Sequence, residues 1–216
     1  MERLLEPGLI ANETAVLVVD MQYGDAHREH GLLRSRREAG RAAEIEYYAD
    51  RLETLVVPNL QRLLPACRAA GIEVLYTVIA SLTRDGRDRG LGHKRLGIHF
   101  PPGSREAQVL DDVAPAGDEI VLPKTCSSVF NGTQIEYVLR NIGIRELLVC
   151  GVVTGSCVEA AVRDAADRGF SVMLVEDATA TWSPEMQTAA LKVMAERYAK
   201  VRSAQQVIER LESNGS

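Results

Sequence analysis

Residues Glu146–Asp177 read ELLVCGVVTGSCVEAAVRDAADRGFSVMLVED. ELLVCGV (Glu146–Val152) and SVMLVED (Ser171–Asp177) are short apolar runs without polar alternation. That is the pattern of strands covered on both faces. Between them, from Ser156 to Arg168, Val158, Ala161, Val162 and Ala165 recur at helical spacing, and Gly169 closes the helix. A strand, a helix and a strand in immediate succession make a βαβ unit, whose strands lie parallel.

The same grammar extends in both directions. TAVLVVD (Thr14–Asp20), IEVLYTVIA (Ile72–Ala80) and DEIVLP (Asp118–Pro123) read as further buried strands, and AKVRS (Ala199–Ser203) as a brief sixth. A long helical pattern runs from about Glu44 to Ala70, with Pro58 and Pro65 expected to kink or split it. Thr133–Asn141 reads as a helix ended by Gly143. Pro184–Tyr198 begins with Ser183 as N-cap and Pro184 at the first helical position. Ala204–Leu211 reads as a short surface helix, with residues 212–216 a frayed tail. The expectation is an α/β fold, a three-layer α/β/α sandwich around a six-stranded parallel sheet of Rossmann-like order.

The chain has 216 residues, with no Pro-, Gly- or Ser-rich linker and no internal repeat, so a single domain over 1–216 is expected. The irregular stretch Ser81–Leu110 is long for a compact domain and reads as a functional loop or an interface arm. A net charge of -5 argues against nucleic acid as a partner. No apolar run is long enough for a membrane span, and MERLLEPGLI lacks a signal-peptide pattern, so a cytoplasmic protein is expected. Cys67, Cys126, Cys150 and Cys157 include no C-x-x-C pair and read as free thiols.

Ligands of open α/β sheets bind beyond the carboxyl ends of the strands. There the sequence puts Asp20, then Gln22, after the first strand, Lys124 after the third, and Cys157 where the fourth strand leads into a helix. Taken singly, Asp20 is as well read as a turn residue, Lys124 as a solvated strand end and Cys157 as a small core filler. Together they suit a cysteine nucleophile. A helix N-terminus and an ammonium both lower a thiol pKa, and a carboxylate accepts the thiol proton and returns it to a leaving amine. Backbone N–H groups around Gly151–Cys157 suit an oxyanion. GVVTGS is not G-x-G-x-x-G, so dinucleotide binding is not expected. His27, His30, His93 and His99 show no H-E-x-x-H spacing, and His27 and His30 beside Asp25 read as a solvated loop rather than metal ligands. A redox-sensing thiol, with Cys126 or Cys150 resolving it, and a non-catalytic binding module stand as other readings.

VLVVDMQ, LPKTCSSVF and LLVCGVVTGSCVEAAVRDAADRGFSVMLVEDATAT, in that order, resemble the isochorismatase-like cysteine hydrolases over about Thr14 to Ser203. The resemblance implies a six-stranded parallel sheet between helices and a catalytic triad of Asp20, Lys124 and Cys157. It also implies a cis peptide between Val152 and Val153, with the N–H groups of Val153 and Cys157 forming the oxyanion hole. Asp85 is followed by Gly86 and Arg87, so the metal-binding D-x-H segment of related nicotinamidases is absent, and neither metal nor cofactor is expected. SLTRDGRDRG, KTCSSVFNGT and EYVLRNIGIRELLVCG are most similar to the family's ureide amidohydrolases. That implies a cysteine-dependent amidohydrolase cleaving biuret, triuret, ureidoacrylate or an N-carbamoyl compound through a thioester. Isochorismatase-type vinyl-ether hydrolysis is the alternative; it needs no thiolate, so Cys157→Ser would retain activity.

The candidate substrate contacts are Gln22, Thr154, Phe130 and Asn131, the last two equally readable as a core ring and a helix cap. Arg84 and Arg87 read as carboxylate contacts or as subunit contacts. Gly155 and Ser156, just before the cysteine, read as leaving room for a larger substrate. Relatives associate, so a homodimer or homotetramer acting on a small molecule is expected.

Overall fold

The computed structural model describes residues 6–214. Half of MERLLEPGLI, read above as no signal peptide, lies outside the described residues. The chain runs β1 (Thr14–Val19), α1 (Tyr23–Ala26), α2 (Gly31–Glu38), α3 (Glu46–Arg51), α4 (Val57–Ala69), β2 (Glu73–Ile79), α5 (Leu91–Leu96), β3 (Ile120–Lys124), α6 (Val129–Gly132), α7 (Ile135–Asn141), β4 (Glu146–Val152), α8 (Glu159–Asp167), β5 (Ser171–Ala180), α9 (Pro184–Arg197), β6 (Lys200–Arg202) and α10 (Ala204–Asn214). The strands form a sheet of order β3-β2-β1-β4-β5-β6. All five pairings are parallel, as the βαβ grammar requires.

Alternate strand residues feed two cores. Val16, Val18, Tyr76, Leu148 and Cys150 pack with α3, α4 and α10 on one face. Ala15, Leu17, Val19, Leu147 and Val149 pack with α7, α8 and α9 on the other. Every residue of β1 is buried, and each such Val or Leu contributes about 1.5–3 kcal/mol. The missing polar alternation in TAVLVV thus marks the centre of the sheet.

Three regions differ from the sequence reading. The long pattern ending at Ala70 does not split at its prolines. A wide π turn, Leu52–Val56, joins α3 to α4 just before Pro58, and Pro65 lies inside α4. The terminal helix is longer and less superficial than expected. Ala204, Val207 and Leu211, one face of α10, are buried against the α4 side of the sheet. Residues 212–214, read as frayed, are its last turn, and the Asn214 side chain donates to the Gly8 carbonyl at 3.1 Å; residues 215–216 lie outside the described residues.

The third difference is Ser81–Leu110, which folds back over the carboxyl edge of the sheet rather than projecting as an arm. Ser81 N–H bonds the Phe100 carbonyl at 3.0 Å, and Leu110 N–H bonds the Met21 carbonyl at 2.9 Å. The segment's own Ile98, Phe100 and His93 are buried, the first two in the core that also holds Val19 and Ile79. Among the described residues no helix is long and apolar enough to cross a membrane.

Candidate active site

The sheet order changes direction between β1 and β4, which opens a crevice at their carboxyl ends. Asp20 leaves β1 in a left-handed conformation, φ 51°, uncommon for a residue with a side chain. Its N–H still bonds the Thr77 carbonyl at 3.0 Å, so the end of β2 enforces the bend. Lys124 is the last residue of β3 and pairs in register with Ile79 at the end of β2. Cys157 lies in a wide π turn, Thr154–Val158, and the regular helix α8 starts two residues later. The sequence reading began that helix at Ser156.

Gly151 explains how β4 delivers this turn. It pairs with Val19 at φ 102°, and a Cβ there would lie 2.1 Å from the Val19 carbonyl oxygen. Only glycine fits. Next comes the cis peptide Val152–Val153 that the resemblance implied. The Val153 carbonyl then accepts from Ser156 N–H (2.9 Å) and Val158 N–H (3.3 Å), which winds the turn around Cys157.

Lys124 Nζ joins the three side chains. It lies 2.7 Å from Asp20 Oδ2 in an ion pair with exposures of 0% and 1%, and it donates to Cys157 Sγ at 3.3 Å and to the Cys126 carbonyl at 3.1 Å. Asp20 Oδ1 accepts from Thr77 Oγ1 at 2.7 Å. Oδ2 faces the Lys124 ammonium in that ion pair, and the same carboxylate interacts with the Cys157 thiol. Burial opposes the Lys124 charge, and Asp20 and Cys157 more than offset it, so the ammonium is held above its ordinary range. For Cys157 the direction is opposite to the expected one. Burial first, then the Asp20 charge, push the thiol up to about 12, and Lys124 only partly counters them. The resting residue is a thiol and needs a base.

A family model described as Isochorismatase domain matches residues 14–206. The chain belongs to the isochorismatase family. It is 31% identical over 163 residues to N-carbamoylsarcosine amidase of Arthrobacter sp, a match spanning 73% of this chain and 62% of that longer relative. It is 32% identical to ureidoacrylate amidohydrolase RutB of Azorhizobium caulinodans, over 86% of this chain and 85% of that one. A crystal structure of a cysteine hydrolase from Pseudomonas syringae pv. phaseolicola superposes with a TM-score of 0.82 at 28% identity, covering 98% of each chain. The six-stranded parallel sheet between helices is the fold of this isochorismatase-like group.

In this family member the other sequence candidates divide sharply. Gln22 is a clamp: its Nε2 donates to the carbonyls of Ile79 (2.9 Å) and Glu106 (2.7 Å), and its Oε1 accepts from Ile79 N–H (2.5 Å). It ties β1 to β2 and to the folded-back segment. Thr154 is fully buried, with its hydroxyl bonded to Gln187 Oε1 at 2.8 Å. Phe130 is a core ring, 6.0 Å from Phe170 with Arg168 over its face. Asn131 is exposed and bonded to Asp164 at 3.2 Å, and the helix cap there is Ser128. Arg84 and Arg87 are exposed, with Arg87 paired to Asp85, so neither is buried with the triad. Gly155 and Ser156 are exposed too, and the missing Gly155 side chain faces Ala190 of α9 rather than the triad. The room they leave is therefore on the outer side of the turn.

Three site residues escaped the sequence reading: Thr77, Asp25 and His93. Thr77 carried a signal, being the one small polar residue within the buried run EVLYTVI. Asp25 and His93 carried none, because only the folding of α1 and α5 onto the sheet edge buries them. His27 and His30 stack with Tyr23 near the surface. Among the described residues no three His, Cys, Asp or Glu side chains converge as metal ligands. Cys67 and Cys150 are buried, and burial pushes Cys67 up to about 12 and Cys150 further. Cys150 points into the core on one face of the sheet, as its strand position implied.

Proposed function

We propose that this protein is a cysteine amidohydrolase that cleaves a C–N bond of a small linear ureide or carbamoyl amide. The observation that carries this reading is the buried contact series Asp20–Lys124–Cys157, with the Asp20 carboxylate against both the Lys124 ammonium and a thiol that burial holds high. The named activities of the relatives favour the same bond class.

In the proposed cycle Asp20 takes the Cys157 proton as Sγ attacks the carbonyl carbon. The thiolate charge passes to the carbonyl oxygen, which the N–H groups of Val153 and Cys157 receive. Protonated Asp20 gives its proton to the departing nitrogen, and the C–N bond breaks to leave a thioester on Cys157. Asp20 next deprotonates a water that hydrolyses the thioester, and the thiol is restored. Lys124 stays charged throughout and keeps each anionic stage electrically balanced. Ammonia release measured across biuret, triuret, ureidoacrylate, N-carbamoyl amino acids and nicotinamide tests the reading, with Cys157→Ala as control. Release from a ureide that vanishes in the control supports it; release from nicotinamide alone overturns it.

A further inference from the structure

Asp25 is a buried carboxyl that the cycle above does not use. It sits in α1, five residues after Asp20, and is 5% exposed. Among the described residues its Oδ2 has no hydrogen-bond partner. Tyr48, buried beside it, donates to the Asp25 main-chain carbonyl at 3.0 Å rather than to the carboxyl. The carboxyl is close enough to the triad for Asp20, Lys124 and Cys157 all to feel its charge. α5 brings in His93, 4% exposed, near enough to feel Lys124 and Asp20, with Nδ1 also unpartnered among the described residues. Unpaired buried polar atoms are costly, and one beside a reactive centre points to a ligand that completes it.

The charges nearby narrow that ligand. Lys124 is already paired with Asp20. Arg89 has Nε and Nη1 bonded to the carbonyls of Gly86 and Ile98. Arg84, Arg87 and Arg95 are exposed, and Arg105 is paired with Asp111. Among the described residues none of these arginines bonds Asp20, Lys124 or Cys157, whereas Asp25 repels a substrate carboxylate if ionised and offers it no charge if protonated.

We propose that the Asp25 carboxyl is a substrate-recognition group of this site, hydrogen-bonding the nitrogen-bearing end of the substrate and selecting uncharged ureides over carboxylate-bearing ones. The proposal rests on the ureide reading. Burial, then the Asp20 charge, push Asp25 up to about 8 against the pull of Lys124. At pH 7 it is therefore a neutral acid, with one donor and one acceptor. A terminal carbamoyl group presents the matching acceptor and donor on one edge.

The test is steady-state ammonia release by wild type, Asp25→Asn and Asp25→Ala on biuret and triuret, which are uncharged, and on N-carbamoylsarcosine and ureidoacrylate, which carry a carboxylate. Wild type is expected to favour the uncharged pair by at least about tenfold in kcat/KM. Asp25→Ala should raise KM for that pair about tenfold with kcat little changed, and Asp25→Asn, which keeps a donor and an acceptor, should stay within a few fold of wild type. Thermal melts check that both variants fold. A wild-type preference for the carboxylated pair, or an Asp25→Ala enzyme with unchanged KM on the uncharged pair, overturns the proposal and leaves the ureide reading standing. No ammonia from any of the four ends both.

Discussion

Lys124 Nζ and Asp20 Oδ2 lie 2.7 Å apart with almost no exposure to solvent, at the ends of two strands that are not neighbours. An ion pair so buried costs much of its attraction in desolvation. Removing one partner strands the other. Lys124→Met should lower the unfolding free energy by about 3–5 kcal/mol, read by urea denaturation, and should abolish hydrolysis. A loss below about 1 kcal/mol would mean that the pair is solvated like a surface bridge.

Asp20→Asn separates two effects of one carboxylate. Hydrolysis should fall by at least about a thousandfold, because the base is gone. The Cys157 thiol pKa should fall as well, since the Asp20 charge is second only to burial in raising it. Iodoacetamide should therefore alkylate Cys157 faster at pH 8 in the variant than in wild type, followed by peptide mass spectrometry. Equal or slower alkylation would contradict the assigned electrostatics.

Thr77→Val keeps shape and removes the hydroxyl that holds Asp20 Oδ1. The expected result is a loss of about 1–2 kcal/mol in stability and roughly a tenfold fall in kcat, with KM close to wild type. A KM effect alone would assign Thr77 to substrate binding.

The buried Asp25 makes stability depend on pH. In the fold it holds its proton to about 8, whereas the unfolded carboxyl releases it near 3.8. Between those values the native state binds the extra proton, so stability falls as pH rises through that window and levels off above about 8. Asp20, Lys124, Cys157 and Tyr48 are the titratable groups that couple to it. Asp25→Asn should flatten this slope and raise the melting temperature at pH 8. An unchanged slope would place the carboxyl in water.

The centre of the sheet was legible because its strands are buried on both faces, so ELLVCGV and TAVLVVD lack polar alternation. The convergence of Asp20, Lys124 and Cys157 was legible because each follows an apolar run in an α/β chain, and strand ends converge. What was not legible lies in the side chains' directions. Gln22 looked like a substrate contact, yet its amide is fully engaged by Ile79 and Glu106. Gly155 looked like space beside the nucleophile, yet the turn points it at α9. Asp25 looked like loop solvation, and only the packing of α1 onto Tyr48 buries it. The thiol pKa was misjudged because a helix terminus and an ammonium were weighed without the burial that outweighs them.

The central claim is that Cys157 forms the covalent intermediate. During turnover of a ureide that yields ammonia, acid quenching followed by peptide mass spectrometry should find an acyl mass on the Cys157 peptide, absent in Cys157→Ala, whose rate should fall by at least about a thousandfold. Hydrolysis at the wild-type rate in Cys157→Ala, or turnover with no adduct on that peptide, would contradict it.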